Sequence, residues 1–210
     1  MSQSDKFWDG VAEKYARKAV PDEAAYQRKL AETQSFLSAD MQVLEFGCGT
    51  GTTAIHHAPY VKHIDALDIS DKMLEIGRQK AHKAGIENIT FSRGTLAEFN
   101  AGTASQDAVL GLNVIHLIPD RQATFAEVAR VLKPGGVFVS ATGCLAHSWL
   151  RFLTLIVPLG KMFDLMPDLF VISEEQLVRE ITDAGFSIET RWHHGTQGIE
   201  VFIIARKNDG

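Results

Sequence analysis

The chain reads as an α/β protein built on a doubly wound, mostly parallel sheet, and three observations carry that reading. From about residue 42 onward, strand-compatible apolar stretches alternate with helix-compatible ones, the pattern of strands joined by crossover helices. The first of those strands runs directly into Gly47-Cys48-Gly49-Thr50-Gly51, a turn with glycine at alternate positions. The chain closes with two strand-like stretches, 186–193 and 199–206, joined by Gly195-Thr196-Gln197-Gly198, which predicts a hairpin and an antiparallel final strand.

The elements follow in order. Residues 1–38 predict a helical cap: Phe7, Trp8, Val11, Ala12 and Tyr15 recur at spacings that gather on one helix face, and Pro21 is placed to open a second helix running towards Leu37. Residues 40–142 form the core, with strands expected near 42–46, 63–67, 88–92, 107–112 and 136–142 and helices at about 53–59, 71–84 and 121–132. Ser70 is a suitable N-cap for the 71–84 helix and Gly85 follows its end. Pro134-Gly135-Gly136 is expected to stop the helix before it and turn into a strand. Residues 173–210 supply a last helix, 174–184, and the hairpin.

Between core and hairpin, residues 146–172 break the alternation with an apolar, lid-like insertion. Its longest uncharged run is the nine residues Phe152 to Gly160. A run of that length cannot cross about 30 Å of hydrocarbon, so stable membrane insertion is not expected. An apolar stretch of this kind must be covered by something, either as the wall of a hydrophobic acceptor pocket or as a homodimer interface through 148–172.

With 210 residues the chain suits one domain with one well-buried core. Lysine and arginine number 21 against 26 acidic residues, a net charge of −5 with no long basic run, which disfavours nucleic-acid binding because a phosphate backbone calls for a clustered basic face. Two cysteines, Cys48 and Cys144, form no Cys-x-x-Cys pair, so neither a disulfide framework nor a metal site is expected. The polar stretch Met1 to Asp9 has no signal-peptide core, and a cytoplasmic location is the corresponding expectation.

The chemistry lies at the strand ends. Glu45 precedes the first glycine by two residues and so sits at the carboxyl edge of its strand, where open α/β sheets bind ligands. Asp68 ends the second strand, where a carboxylate can take both hydroxyls of a ribose. A pyrophosphate fingerprint would need glycine at position 52, which is Thr, and the loop carries no Lys or Arg. These residues favour a nucleoside cofactor without phosphates. They disfavour a nucleotide-linked oxidoreductase, and none of Tyr15, Tyr26 and Tyr60 is followed four residues later by Lys.

Four blocks in order, Val43 to Gly51, Leu67-Asp68-Ile69-Ser70-Asp71-Lys72-Met73-Leu74, Asp107 to Asp120, and Val131-Leu132-Lys133-Pro134-Gly135-Gly136, resemble the class I S-adenosylmethionine (SAM)-dependent methyltransferases, small-molecule type. The resemblance implies a Rossmann-like seven-stranded sheet with one antiparallel C-terminal strand and helices on both faces. It implies SAM as cofactor, with Glu45 towards the methionine ammonium, Gly47, Cys48 and Gly49 in backbone contact, and Asp68 on the ribose. Ile69 and Met73 would pack on the adenine, Thr95 and the Leu96 backbone would meet its edge, and Asn113 would lie near the methionine part. Phe7-Trp8-Asp9-x-x-Ala12-x-x-Tyr15 resembles the N-terminal segment that covers the cleft, which puts Trp8 and Tyr15 over the cofactor.

In Asn113-Val114-Ile115-His116-Leu117, His116 would face the methyl group as a base or orient the acceptor. His56, His57, His63, His193 and His194 show no partner pattern and are expected to be structural or solvent-facing. The implied activity is methyl transfer to a small hydrophobic or aromatic molecule, with oxygen, nitrogen, sulfur or carbon as the accepting atom. The alternative is a non-catalytic SAM-binding sensor or partner subunit.

Overall fold

The structure is a computed structural model and describes residues 3–144, 146, 168–194 and 199–209. The elements are α1 (Gln3–Ala16), α2 (Glu23–Gln34), β1 (Gln42–Phe46), α3 (Thr52–His57), β2 (His63–Asp68), α4 (Asp71–Lys83), β3 (Ile89–Arg93) and α5 (Leu96–Phe99). They continue with β4 (Gln106–Leu112), α6 (Arg121–Val131), β5 (Leu132–Gly143), α7 (Glu174–Asp183), β6 (Phe186–His194) and β7 (Glu200–Lys207). One seven-stranded sheet has the order β3-β2-β1-β4-β5-β7-β6. Strands β3 through β5 pair in parallel, and β7 runs antiparallel to both β5 and β6.

Alternation along each strand divides the core between the two faces. Val43 belongs to one buried cluster, with Leu74, Phe91, Val139 and Phe202, while Leu44 and Phe46 belong to the other, with Phe125, Phe138, Leu177 and Phe186. Phe138 sits between Phe125 and Phe186 at ring-centroid separations of 5.9 and 6.0 Å. Burial of each such ring is worth about 1.5–3 kcal/mol. On the same face Arg121 of α6 donates to both Glu180 oxygens of α7 at 2.8 and 3.0 Å, which fixes the two helices against each other.

Several boundaries differ from expectation, each for a local reason. Helix α2 opens at Glu23 rather than Pro21 because Asp22 is its N-cap, accepting from Ala25 N–H at 3.0 Å. It stops at Gln34, short of Leu37. Pro134-Gly135-Gly136 lies inside β5: pairing runs Gln106 with Leu132 and then, past an irregularity, Ala108 with Val137. The imino residue and Gly135, at φ +70°, form a bulge in the strand where a helix stop was expected. The one-turn α5 and two 3₁₀ turns, Ala58–Tyr60 and Ile115–Leu117, are additional. Most of the 146–172 insertion, and the Gly195 to Gly198 turn, lie outside the described residues.

Candidate active site

The site starts at the end of β1. Gly47, Gly49 and Gly51 have φ of +66°, +54° and +68°. A Cβ on Gly47 would come within 2.5 Å of Val114, and one on Gly51 within 2.6 Å of Phe91, so space as well as φ excludes side chains there. A Cβ on Gly49 would meet only the Tyr15 ring, at 3.7 Å. The turn is packed tightly behind and left uncovered in front.

Asp68 holds this turn in place. Its Oδ2 accepts from Gly49 N–H at 2.8 Å and its Oδ1 from Ser70 N–H at 2.9 Å, leaving a further lone pair on each oxygen. Burial raises the Asp68 pKa while the backbone donors oppose the shift. Ser70 accepts from Met73 N–H at 3.1 Å as the cap of α4, and its own hydroxyl donates to Asp9 of α1 at 2.6 Å. The N-terminal helix is thereby tied to the Asp68 carboxylate through one serine.

Glu45 is 3% exposed and its Oε2 has no hydrogen-bond partner. Loss of hydration, and then the nearby Asp68 charge, push its pKa up to about 8. An arriving cation would stabilise the ionised form. Tyr15 is 47% exposed over the whole side chain, yet its hydroxyl is desolvated and close enough to Asp68 and Glu45 for their charge to raise its pKa as well.

A cavity of about 430 Å³, within the size range of ligand sites, opens at this edge of the sheet. Trp8, Tyr15, Gly47, Gly49, Asp68, Ile69, Met73, Thr95, Leu96 and Asn113 all line it. Three other candidates do not. Glu45 is buried behind the lining; Cys48 is buried too, with its N–H bonded to Leu67 O at 2.9 Å and its thiol held protonated by burial. His116 sits on a 3₁₀ turn with Nδ1 buried and unpartnered, and burial lowers its pKa so that the neutral ring prevails.

Thr95 is more committed than a bare hydroxyl. It is the N-cap of α5 in a reciprocal capping box: Thr95 Oγ1 accepts from Glu98 N–H at 3.3 Å while Glu98 Oε2 accepts from Thr95 N–H at 2.8 Å and from Thr95 Oγ1 at 2.9 Å. One lone pair remains for a ligand. Sequence reasoning missed a further wall, Asp120, Ala123, Thr124 and Glu127. Their i, i+3, i+4, i+7 spacing marks one face of α6 and was legible as such. Asn113 also lines the cavity and has φ +57°, a left-handed backbone at its wall.

Among the described residues no group of three or more His, Cys, Asp or Glu side chains converges on a point, and no helix is long and apolar enough to cross a membrane.

A glycine turn at the β1 edge, a carboxylate ending β2 and an unpaired carboxyl at the end of β1 would suit a nucleoside on an α/β sheet, and comparison with known proteins points the same way. The family described as "Methyltransferase domain" matches residues 43–136. YcgJ of Bacillus subtilis, described as an uncharacterized methyltransferase, is 34% identical over 101 residues, 48% of this chain and 40% of that protein; the chain thus aligns with about two fifths of that relative's length. Its crystal structure superposes with a TM-score of 0.71 at 18% identity, covering 88% of this chain and 100% of that one. A demethylmenaquinone methyltransferase of Leptospira interrogans is 26% identical over 197 residues, 84% of this chain and 79% of that protein. A geranyl diphosphate C-methyltransferase of Streptomyces coelicolor, solved with S-adenosyl-L-homocysteine (SAH), superposes with a TM-score of 0.70 at 17% identity over 88% of this chain and 79% of that one. Over residues 43–136 the chain is thus similar to the methyltransferase domain family, and its fold is that of the solved methyltransferases it superposes on.

Proposed function

We propose that the protein transfers a methyl group from SAM to a small, largely apolar molecule. The observation that carries this is the convergence of Asp68, Gly47 and Gly49 on one cavity with apolar walls, with the unpaired Glu45 carboxyl buried behind that lining. SAM supplies a sulfonium methyl, which passes to an acceptor atom as the carbon–sulfur bond breaks and neutral SAH is left. The residues fit this group: Asp68 has lone pairs for the ribose hydroxyls, Glu45 lacks a counter-charge, and Ile69, Met73 and Leu96 offer a surface for a flat ring.

The chain's part in the reaction is alignment and exclusion of water, which an in-line displacement chiefly requires. Tyr15 of α1 lies against the turn at Gly49, and Trp8, Leu117, Ile118 and Pro119 add apolar wall to the same cavity. His116 would orient the acceptor or take its proton. Its neutral ring suits either role, and it would enter the cavity only if the 3₁₀ turn shifts on ligand binding. The relatives named for menaquinone and geranyl diphosphate support a lipophilic acceptor.

The test begins with calorimetry of the full chain against SAH, where measurable binding is expected. Methyl-labelled SAM offered with metabolite extracts should then yield a labelled small molecule together with SAH. Absence of SAH binding at saturating concentration would sink the reading. Binding without product from any pool would favour the sensor alternative.

A further inference from the structure

The glycine turn is gripped from behind as well as from the cavity side. Helix α4 starts beside Asp68, where Ser70 caps it, and two of its later residues, Gly77 and Lys80, meet the loop that joins β1 to α3. Gly77 leaves room for the Phe91 ring: a Cβ there would come within 2.8 Å of that ring, as one on Gly51 would within 2.6 Å. Three residues further along α4, the Lys80 ammonium donates to Thr50 Oγ1 at 2.8 Å and to Thr52 Oγ1 at 3.1 Å. Those threonines flank Gly51, so a single cation spans the residue at which the turn becomes helix.

This is an unusual setting for a lysine. Burial lowers the Lys80 pKa, and no ion pair of Lys80 with a carboxylate occurs among the described residues. An ammonium taken from water is normally matched by an anion, and here two hydroxyls stand in its place. Thr50 is 4% exposed, so its hydroxyl depends on Lys80 and, at 3.4 Å, on Thr52. The turn itself has few handles. Gly47, Gly49 and Gly51 offer no side chains, and Gly51 opens α3 without a side-chain cap. Asp68 holds the turn at Gly49 N–H on one side, and Lys80 holds it at Thr50 and Thr52 on the other.

We propose that Lys80 is a positioning residue for the ligand cavity. By clasping Thr50 and Thr52 it sets the place of the Gly47 to Gly49 backbone; Gly47 and Gly49 line that cavity and Lys80 does not. Lysine suits the task because one ammonium carries three donors and serves both hydroxyls at once. The proposal rests on the methyltransferase reading in one respect, that the cofactor occupies this cavity, and needs no role for any particular group of the ligand.

Three variants of the full chain test it. Lys80→Met keeps the stem and removes the donors, Thr50→Val with Thr52→Val removes the acceptors, and Lys80→Arg keeps a cation with two donors side by side. Each is titrated with SAH, with the unliganded thermal midpoint as a check on folding, and amide exchange is followed over residues 47–55. Lys80→Met should lower SAH affinity roughly two- to thirtyfold and speed exchange over 47–55 while β4 and β5 keep the parent rate. Adding it to the paired threonine variant should lower affinity no further, because both remove the same contact. Lys80→Arg should recover most of the loss. Should Lys80→Met or the paired variant not fold, Thr52→Val alone, at an exposed position, should still weaken SAH binding. Unchanged SAH affinity in the variants that fold, fully additive losses for lysine and threonines, or no recovery with Lys80→Arg overturns the proposal. If the parent protein itself binds no SAH, the methyltransferase reading fails and the proposal falls with it.

Discussion

Glu45 and Asp68 lie one strand apart, and their surroundings set them different tasks. Asp68 is held by two backbone N–H groups, whereas Glu45 Oε2 has no partner and its pKa stands at about 8 against an ordinary 4.5. Because the folded-state pKa is the raised one, the stability Glu45 contributes is fully present below about 4.5 and is lost as pH rises through about 8. Thermal melts of the unliganded protein should therefore fall more steeply between pH 5 and 8 for the parent than for Glu45→Gln. SAH affinity should run the other way, rising with pH over that interval in the parent and flat in the variant, since the ammonium is met by the ionised carboxyl. Parallel pH profiles for the two proteins would show that Glu45 stays ionised throughout. At Asp68 the prediction is double: Asp68→Ala should weaken SAH binding by about 1.5–3 kcal/mol for each charged hydrogen bond lost. It should also lower the thermal midpoint, because the Gly49 and Ser70 N–H groups lose their acceptor. An affinity loss without destabilisation would show that these two donors find water instead.

At the scale of elements, the N-terminal helix is coupled to the site by polar contacts. Among the described side chains of α1 only Ala12 is fully buried, but Asp9 accepts from Ser70 Oγ at 2.6 Å and from Lys72 N–H at 3.2 Å, and Asp5 pairs with Arg93 at 3.0 Å. Asp9→Ala should cost about 1 kcal/mol, the worth of a helix cap, and should raise the KM for SAM more than it lowers kcat, because Trp8 and Tyr15 lose their anchor at the cavity. A variant with unchanged KM would place the covering role elsewhere. Which elements were legible follows from whether their signals are local. The glycine turn, the Ser70 cap and the seven strands announce themselves within a few residues, and Thr95-Leu96-Ala97-Glu98 carried the signature of the α5 capping box, which went unread. By contrast, Pro134-Gly135-Gly136 becomes a bulge only because β4 offers Gln106 as a partner for Leu132, a pairing that no local pattern encodes. His57 reads as an ordinary helix histidine until α2 folds over it.

At the scale of the whole molecule, the order β3-β2-β1-β4-β5-β7-β6 puts a crossover reversal between β1 and β4, where Glu45 pairs with Leu110 and the chain leaves the sheet in opposite directions. The main cavity opens there, and α2 closes the neighbouring side. Besides burying Leu30 and Thr33, α2 is held by a contact with the far edge of the sheet: Trp192 of β6 donates from Nε1 to Glu32 at 2.7 Å, and the Arg28 guanidinium lies 4.0 Å from the centre of its ring while pairing with Glu32 at 2.7 Å. Stacking of this kind contributes about 0.5–2 kcal/mol, so the attachment is modest and α2 should open before the sheet does. Trp192→Leu removes both the donor and the ring face. Amide hydrogen exchange over residues 23–34 should then accelerate several-fold while exchange in β4 and β5 stays at the parent rate. Uniform acceleration across sheet and helix would mean instead that Trp192 is part of the global core and that α2 does not open separately.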